Sequence, residues 1–234
     1  MQRPLALELE KALRVSAWLA CAMVLGMIAI FFATGVGQDP LQFVHPPADY
    51  ARLLLANPPA LKACLALDNL FIVFYATLFV CLGVLLVRGG AVRALVLASI
   101  GLLGALALLD LIENLHFLVM LARAQEGLFP SATEIELQVF ESLLKFHVSY
   151  LALFLLGFAL PRRTRQERLL AGLSWFVQLP VGILIYVTPP QLSFPLVFVR
   201  FTYFVAALLL VASIFGAGSD APASRPGTTP AAAG

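Results

Sequence analysis

Charge is the scarcest ingredient of this chain: Asp, Glu, Lys and Arg make up 12% of its 234 residues, against 61% hydrophobic, and the mean hydropathy is +0.95. So little charge cannot cover a water-facing surface, which excludes a soluble globular domain and points to an integral membrane protein. The net charge of +2 comes from loop arginines without a basic patch, so no nucleic-acid partner is expected. Cysteine is sparse as well. Cys21, Cys64 and Cys81 all fall in apolar stretches, where a free thiol behaves as a small hydrophobe, and no disulfide framework is implied. Catalytic signatures are also missing: there is no G-x-S-x-G, no H-E-x-x-H and no phosphate-cradling glycine loop, and Gly89-Gly90 reads as a turn. No cofactor is expected.

What is present is a set of apolar runs of about 20 residues, the length that crosses ~30 Å of hydrocarbon. They fall at roughly 13–35, 63–87, 93–122, 135–160, 168–187 and 195–216. The runs are continuous and rich in Leu and Ala, without the alternating polarity of barrel strands, so they read as helices. The expected fold class is an all-α, polytopic membrane bundle of six transmembrane helices in a single domain over 1–216. Ser131-Ala-Thr-Glu134 after Pro130 reads as a capping box opening the fourth helix, and Pro161 with four arginines closes it. The start, MQRPLALELEKALR, leads into a stretch long enough to span, so it reads as a retained first helix, not a cleaved leader. The small, Pro-rich tail 217–234 reads as disordered and cytoplasmic. The two halves share no motif, which weakens an inverted-repeat transporter reading.

Loop cations set the expected orientation. Arg3, Lys11, Arg14, Arg88, Arg93, Arg162, Arg163, Arg165, Arg168 and Arg225 fall on one side, and only Arg52, Lys62 and Arg123 on the other. Both termini are therefore expected in the cytoplasm of a cell carrying the chain in its cell membrane. The loop 36–60, with Pro40, Pro46, Pro47, Pro58 and Pro59, then lies outside; it reads as a linker with room for a short lid.

Six ionisable groups interrupt the spans: Asp68, Asp110, Glu113, Glu141, Lys145 and Arg200. Counting ~1.5 Å per residue from the cytoplasmic arginines places all of them toward the outer face. Helical phase groups Asp110, Glu113 and Asn114 on one stripe and Gln138, Glu141, Ser142, Lys145 and Ser149 on another, while Asp68 and Tyr75 share a third. Such stripes should face the bundle interior, because a central charge facing lipid costs roughly 2.5–3.5 kcal/mol. Four carboxylates against two cations leave a negative excess, so either some carboxylates carry protons or a cation enters.

Other constellations are weaker. Glu113-x-x-His116 has di-iron spacing, but only one such pair exists, so a metal on Glu113 and His116 is a minor alternative. His116 and His147 read as packing histidines and His45 as a loop residue. The aromatic run 194–204 around Arg200 reads as a lipid-facing or interfacial belt.

The runs LDNLFIVFY (67–75), LDLIEN (109–114) and LLKF (143–146) resemble the pattern of an uncharacterised group of small bacterial multi-spanning membrane proteins. That resemblance implies that Asp68, Asp110, Glu113, Asn114 and Lys145 work as a set, and it brings no activity. The expected function is to bind or handle a small amphipathic or cationic molecule, or a proton-coupled solute, at this outer polar site within the lipid bilayer. Two alternatives stay open. One is a membrane enzyme, with Asp110 and Glu113 as general acid and base and Lys145 or Arg200 stabilising an anion. The other is a structural or assembly subunit tied by bridges such as Asp110 to Lys145 or Glu113 to Arg200.

Overall fold

Proline, asparagine and glycine divide the apolar runs into helices whose ends can be accounted for one by one. In the computed structural model, which describes residues 2–214, the chain is all helical, with no strand among the described residues. Helix α1 spans Gln2–Thr34, beginning well before the apolar run because Leu, Glu, Lys and Ala around residues 5–13 are strong helix formers. After a 3₁₀ turn at Asp39–Gln42 come the short α2 (Pro47–Leu55) and α3 (Pro58–Arg88). The Asn57 side chain caps α3 by accepting from the Ala60 N–H at 3.2 Å, and Pro58 and Pro59 occupy positions whose own N–H would be unused. Helix α4 is Arg93–Gln125 and α5 is Ala132–Ala159. The loop 36–60 is thus a built structure with two helical segments, more than the linker expected of it.

Only half of the capping box at α5 forms. Ser131 accepts from the Glu134 N–H at 3.2 Å, but the Glu134 carboxylate is drawn to Arg123 at 2.7 Å. The complete reciprocal box opens α6 (Arg165–Val187) instead, between Thr164 and Glu167. Helix α6 contains a π turn at Ser174–Gln178, immediately before Pro180. A wider turn there accommodates the proline ring, which would otherwise press on the preceding turn's carbonyl. Helix α7 is Pro190–Ile214. The tail 217–234, expected to be disordered, lies outside the described residues.

Six helices are long and apolar enough to cross a membrane. Each packs on two others in the order α1, α3, α4, α5, α6, α7 and back to α1, so they form a closed ring. Glycine permits two of the close approaches. A Cβ on Gly83 would stand 2.8 Å from Ile100 across the α3–α4 seam, and one on Gly182 would strike the Tyr150 ring across the α5–α6 seam. The ring's outward face is apolar: Phe32 is 70% exposed and Phe176 77%.

Inside, the apolar packing falls into two storeys. One gathers Leu13, Val24, Leu82, Leu156, Leu170 and Val211 at the end opposite α2. The other gathers Leu41, Leu54, Leu65, Phe117, Leu121 and Ile135 beneath α2. The polar residues of α3, α4 and α5 lie between them, which places the site.

Candidate functional site

The centre of the polar storey is Lys145, about midway along α5 and only 4% exposed. Its Nζ lies 2.9 Å from Asp110 Oδ1 and also pairs with Glu113, so α5 is tied to two consecutive turns of α4. The second Asp110 oxygen accepts from the Tyr75 hydroxyl of α3 at 2.6 Å. The second Glu113 oxygen accepts from Ser142, whose oxygen in turn accepts from Gln138 Nε2 at 2.8 Å. Gln138 Oε1 lies 2.8 Å from the Tyr50 hydroxyl of α2, which is also 2.9 Å from the Leu41 carbonyl. Burial, followed by the negative charges of Glu113, Glu134 and Glu141, pushes the Tyr50 phenol well above its ordinary range, so it remains a donor. A continuous chain of polar contacts therefore runs from the middle of the bundle to the α2 cap.

Asp68 takes a different place. Its Oδ2 accepts from Asn114 Nδ2 at 2.7 Å, and the same nitrogen reaches Asn69 Oδ1 at 3.0 Å. Gln38, from the loop above, approaches the Asn114 carbonyl at 3.4 Å. No hydrogen bond among the described residues occupies Asp68 Oδ1, and the residue faces a cavity.

That cavity, of about 730 Å³, occupies the middle of the ring and is of the size that holds small ligands. At the level of the polar storey it is lined by Asp39, Asp68, Tyr75, Asp110, Lys145 and Arg200. From there it continues between aliphatic residues, including Leu82, Leu156, Ala207 and Val211, toward the opposite end. Lys145 to Leu160 on α5 alone represents roughly 20 Å at a helical rise of ~1.5 Å per residue. Gly37, Pro40, Phe43, Val44 and His45 line its α2 end. The result is one space with an ionic head and a long apolar shaft.

Several sequence expectations are corrected here. Arg200 does not meet Glu113. Its Nη2 donates to Asp39 Oδ1 at 2.9 Å, and its Cζ lies 4.0 Å from the centroid of the Phe146 ring. Glu141, although on the Lys145 stripe, turns outward to His116, whose Nδ1 is 2.9 Å from Glu141 Oε2. Glu113 and His116 therefore face different partners and do not converge as a metal pair, and no cluster of three metal-ligating side chains occurs among the described residues. His147 hydrogen-bonds the Leu143 carbonyl at 2.7 Å and lies against Tyr150 and Tyr186. The aromatic run of α7 is no outer belt: Phe198, Phe201, Tyr203 and Phe204 line the cavity. His45, expected as a plain loop residue, also lines it and is fixed by the Pro40 carbonyl at 2.8 Å.

Asp39 is the functional residue that sequence reasoning missed. An acid in a proline-rich loop is ordinarily solvated, and only the lack of a carboxylate for Arg200 on neighbouring spans could have pointed to it. With Asp39 included, Asp39, Asp68, Asp110 and Glu113 face Lys145 and Arg200, so negative charge remains in excess. Asp110 and Glu113 have both oxygens engaged, whereas Asp68 keeps one oxygen open to the cavity. Such an arrangement can accept a cationic group at Asp68 while an attached chain occupies the shaft. No protein-family model matches the chain, and neither does any curated protein or solved structure, so the three-motif pattern acquires no family or activity from relatives.

Proposed function

We propose that this chain is a multi-pass protein of the cell membrane whose helical ring holds a small amphipathic molecule, its cationic group against Asp68 and Asp110 and its tail in the apolar shaft. The observation that carries this reading is the continuity of a single cavity from those carboxylates to Leu156 and Val211. The outward apolar face, including Phe32 and Phe176, suits lipid contact. The loop-cation bias supports an orientation with both termini in the cytoplasm and the α2 cap outside.

Within the polar storey the residues divide by what they can still bind. Glu113 has no exposed surface and both oxygens are engaged, so it serves as a tie between α4 and α5. That engagement is why acid–base chemistry on Asp110 and Glu113 ranks below ligand binding here. Asp68, with a carboxylate oxygen facing the cavity, is the residue expected to meet the ligand.

The test is binding of dodecylamine and of dodecanol to the chain purified in a maltoside detergent, measured by calorimetry. Dodecylamine should bind at least 10-fold more tightly than dodecanol, and Asp68→Asn should remove most of that difference while leaving the protein folded. Equal binding of the two, or none by the amine, would overturn the reading.

A further inference from the structure

Arg200 is a buried cation whose bonding is incomplete. It is 2% exposed, it lines the cavity, and Asp39 occupies only its Nη2. Its Nε and Nη1 make no close hydrogen bond, and the hydroxyls of Tyr150 and Tyr186 stand near enough for a weak one. These atoms carry three of the guanidinium's five N–H groups. The Tyr186 hydroxyl, also buried and without a close hydrogen bond, belongs to a residue lining the same cavity. Tyr150, whose hydroxyl makes no close one either, lies with Tyr186 close enough to feel the guanidinium charge. The Phe146 ring, 4.0 Å from Cζ, fixes the guanidinium in place.

Unsatisfied donors on a buried cation are costly, and oxyanions are the acceptors whose geometry a guanidinium fork matches best. Lys145 is the weaker anion receptor, because Asp110 and Glu113 take two of its three N–H donors and offset its charge. Lys145 Nζ and Arg200 Cζ lie 4.8 and 4.0 Å from the same Phe146 centroid, and Asp68 and Arg200 line the same cavity. A purely cationic amphiphile would leave the Arg200 donors unanswered, and a purely anionic one would leave Asp68 Oδ1 unanswered. A zwitterion answers both.

We propose that Arg200 and Tyr186 form an oxyanion subsite, so that the molecule held in the ring carries a phosphate or carboxylate on Arg200 and an amine against Asp68. This rests on the amphiphile reading above and sharpens it from a cationic to a zwitterionic headgroup. Arg200 supplies charge and N–H donors on either side of the Nη2 that Asp39 holds, and Tyr186 adds a neutral donor that can be removed without changing shape.

The experiment compares three probes on the full chain in maltoside detergent: a twelve-carbon lysophosphatidylethanolamine, dodecylamine and inorganic phosphate. The zwitterionic lipid should bind at least 10-fold more tightly than dodecylamine. Tyr186→Phe should weaken the lipid about 5-fold and dodecylamine less than 2-fold, and Arg200→Gln, if it folds, should abolish the lipid's advantage. Inorganic phosphate should not displace the lipid below millimolar concentration. Equal effects of Tyr186→Phe on both amphiphiles, or none on either, would overturn the subsite and leave these donors to water. Displacement by micromolar phosphate would overturn its assignment to a headgroup in favour of a free anion. Failure of dodecylamine to bind strikes the amphiphile reading itself, whereas dodecylamine binding without a gain for the zwitterion strikes only the subsite.

Discussion

Lys145 Nζ stands 2.9 Å from Asp110 Oδ1 while also pairing with Glu113, so one ammonium serves two carboxylates a single turn apart on α4. Removing it therefore does more than break one bridge. Lys145→Met leaves two buried carboxylates facing each other and should cost about 3–5 kcal/mol. The rescuing partner follows from what each acid keeps. Asp110 retains the Tyr75 hydroxyl and a face on the cavity, whereas Glu113 is fully buried and would be left with only Ser142. Thermal unfolding in detergent should show Glu113→Gln with Lys145→Met recovering more stability than Asp110→Asn with Lys145→Met. The reverse order would show that Asp110 is the principal counter-ion.

The apolar shaft should be separable from the polar head. Ala207 of α7 lines the cavity well below Arg200, where a larger side chain would fill space without touching the ionic groups. Ala207→Trp is expected to weaken dodecylamine more than 10-fold and hexylamine less than 3-fold, with little change in unfolding temperature. Equal losses for both chain lengths would place the tail elsewhere. Loss of neither would remove the shaft from the binding site.

The helical architecture was legible because apolar runs long enough to span leave the backbone no alternative in lipid. Helical phase also anticipated which faces of α4 and α5 meet: Asp110 and Glu113 do lie opposite Ser142 and Lys145, while Asn114 turns to Asp68 of α3. Phase failed for Glu141, which shares that stripe but sits one turn closer to the α2 end, where His116 offers a nearer partner. Asp39 and Tyr186 were invisible for another reason. Asp39 meets Arg200 across 161 positions of sequence, and Tyr186 reaches the cavity from the second half of α6, where no other polar side chain marks the inward face. Nothing local in either segment encodes the tertiary contact. The closure of the six helices into a ring around an open centre is likewise a property of pairwise packing that no single run displays.

Orientation is testable by fusion. Reporters joined after residue 217 and near residue 90 should read cytoplasmic, and one near residue 55, at the end of α2, should read outside. The Arg and Lys distribution over alternate loops predicts this pattern. A cytoplasmic signal at residue 55 would invert the protein and open the head of the cavity toward the cell interior.

Tyr50 offers a pH-dependent check on the cap. Its hydroxyl lies between the Leu41 carbonyl at 2.9 Å and Gln138 Oε1 at 2.8 Å, joining α2 to α5, and the residue has no exposed surface. Tyr50→Phe removes the one O–H shared between these two acceptors and should cost about 1–3 kcal/mol at pH 7. Burial and the nearby Glu113, Glu134 and Glu141 raise the phenol's pKa in the folded chain, whereas an unfolded tyrosine titrates near pH 10. Between those values the unfolded state has released a proton that the folded state still holds. The wild type should then lose stability relative to Tyr50→Phe as pH rises above about 10, by at most ~1.4 kcal/mol per pH unit. Unfolding temperatures measured from pH 7 to 11.5 should show the gap between the two proteins closing above pH 10 and constant below it. A gap that stayed constant throughout would mean that the Tyr50 hydroxyl is reached by water and does not form the buried link from the cap to Gln138.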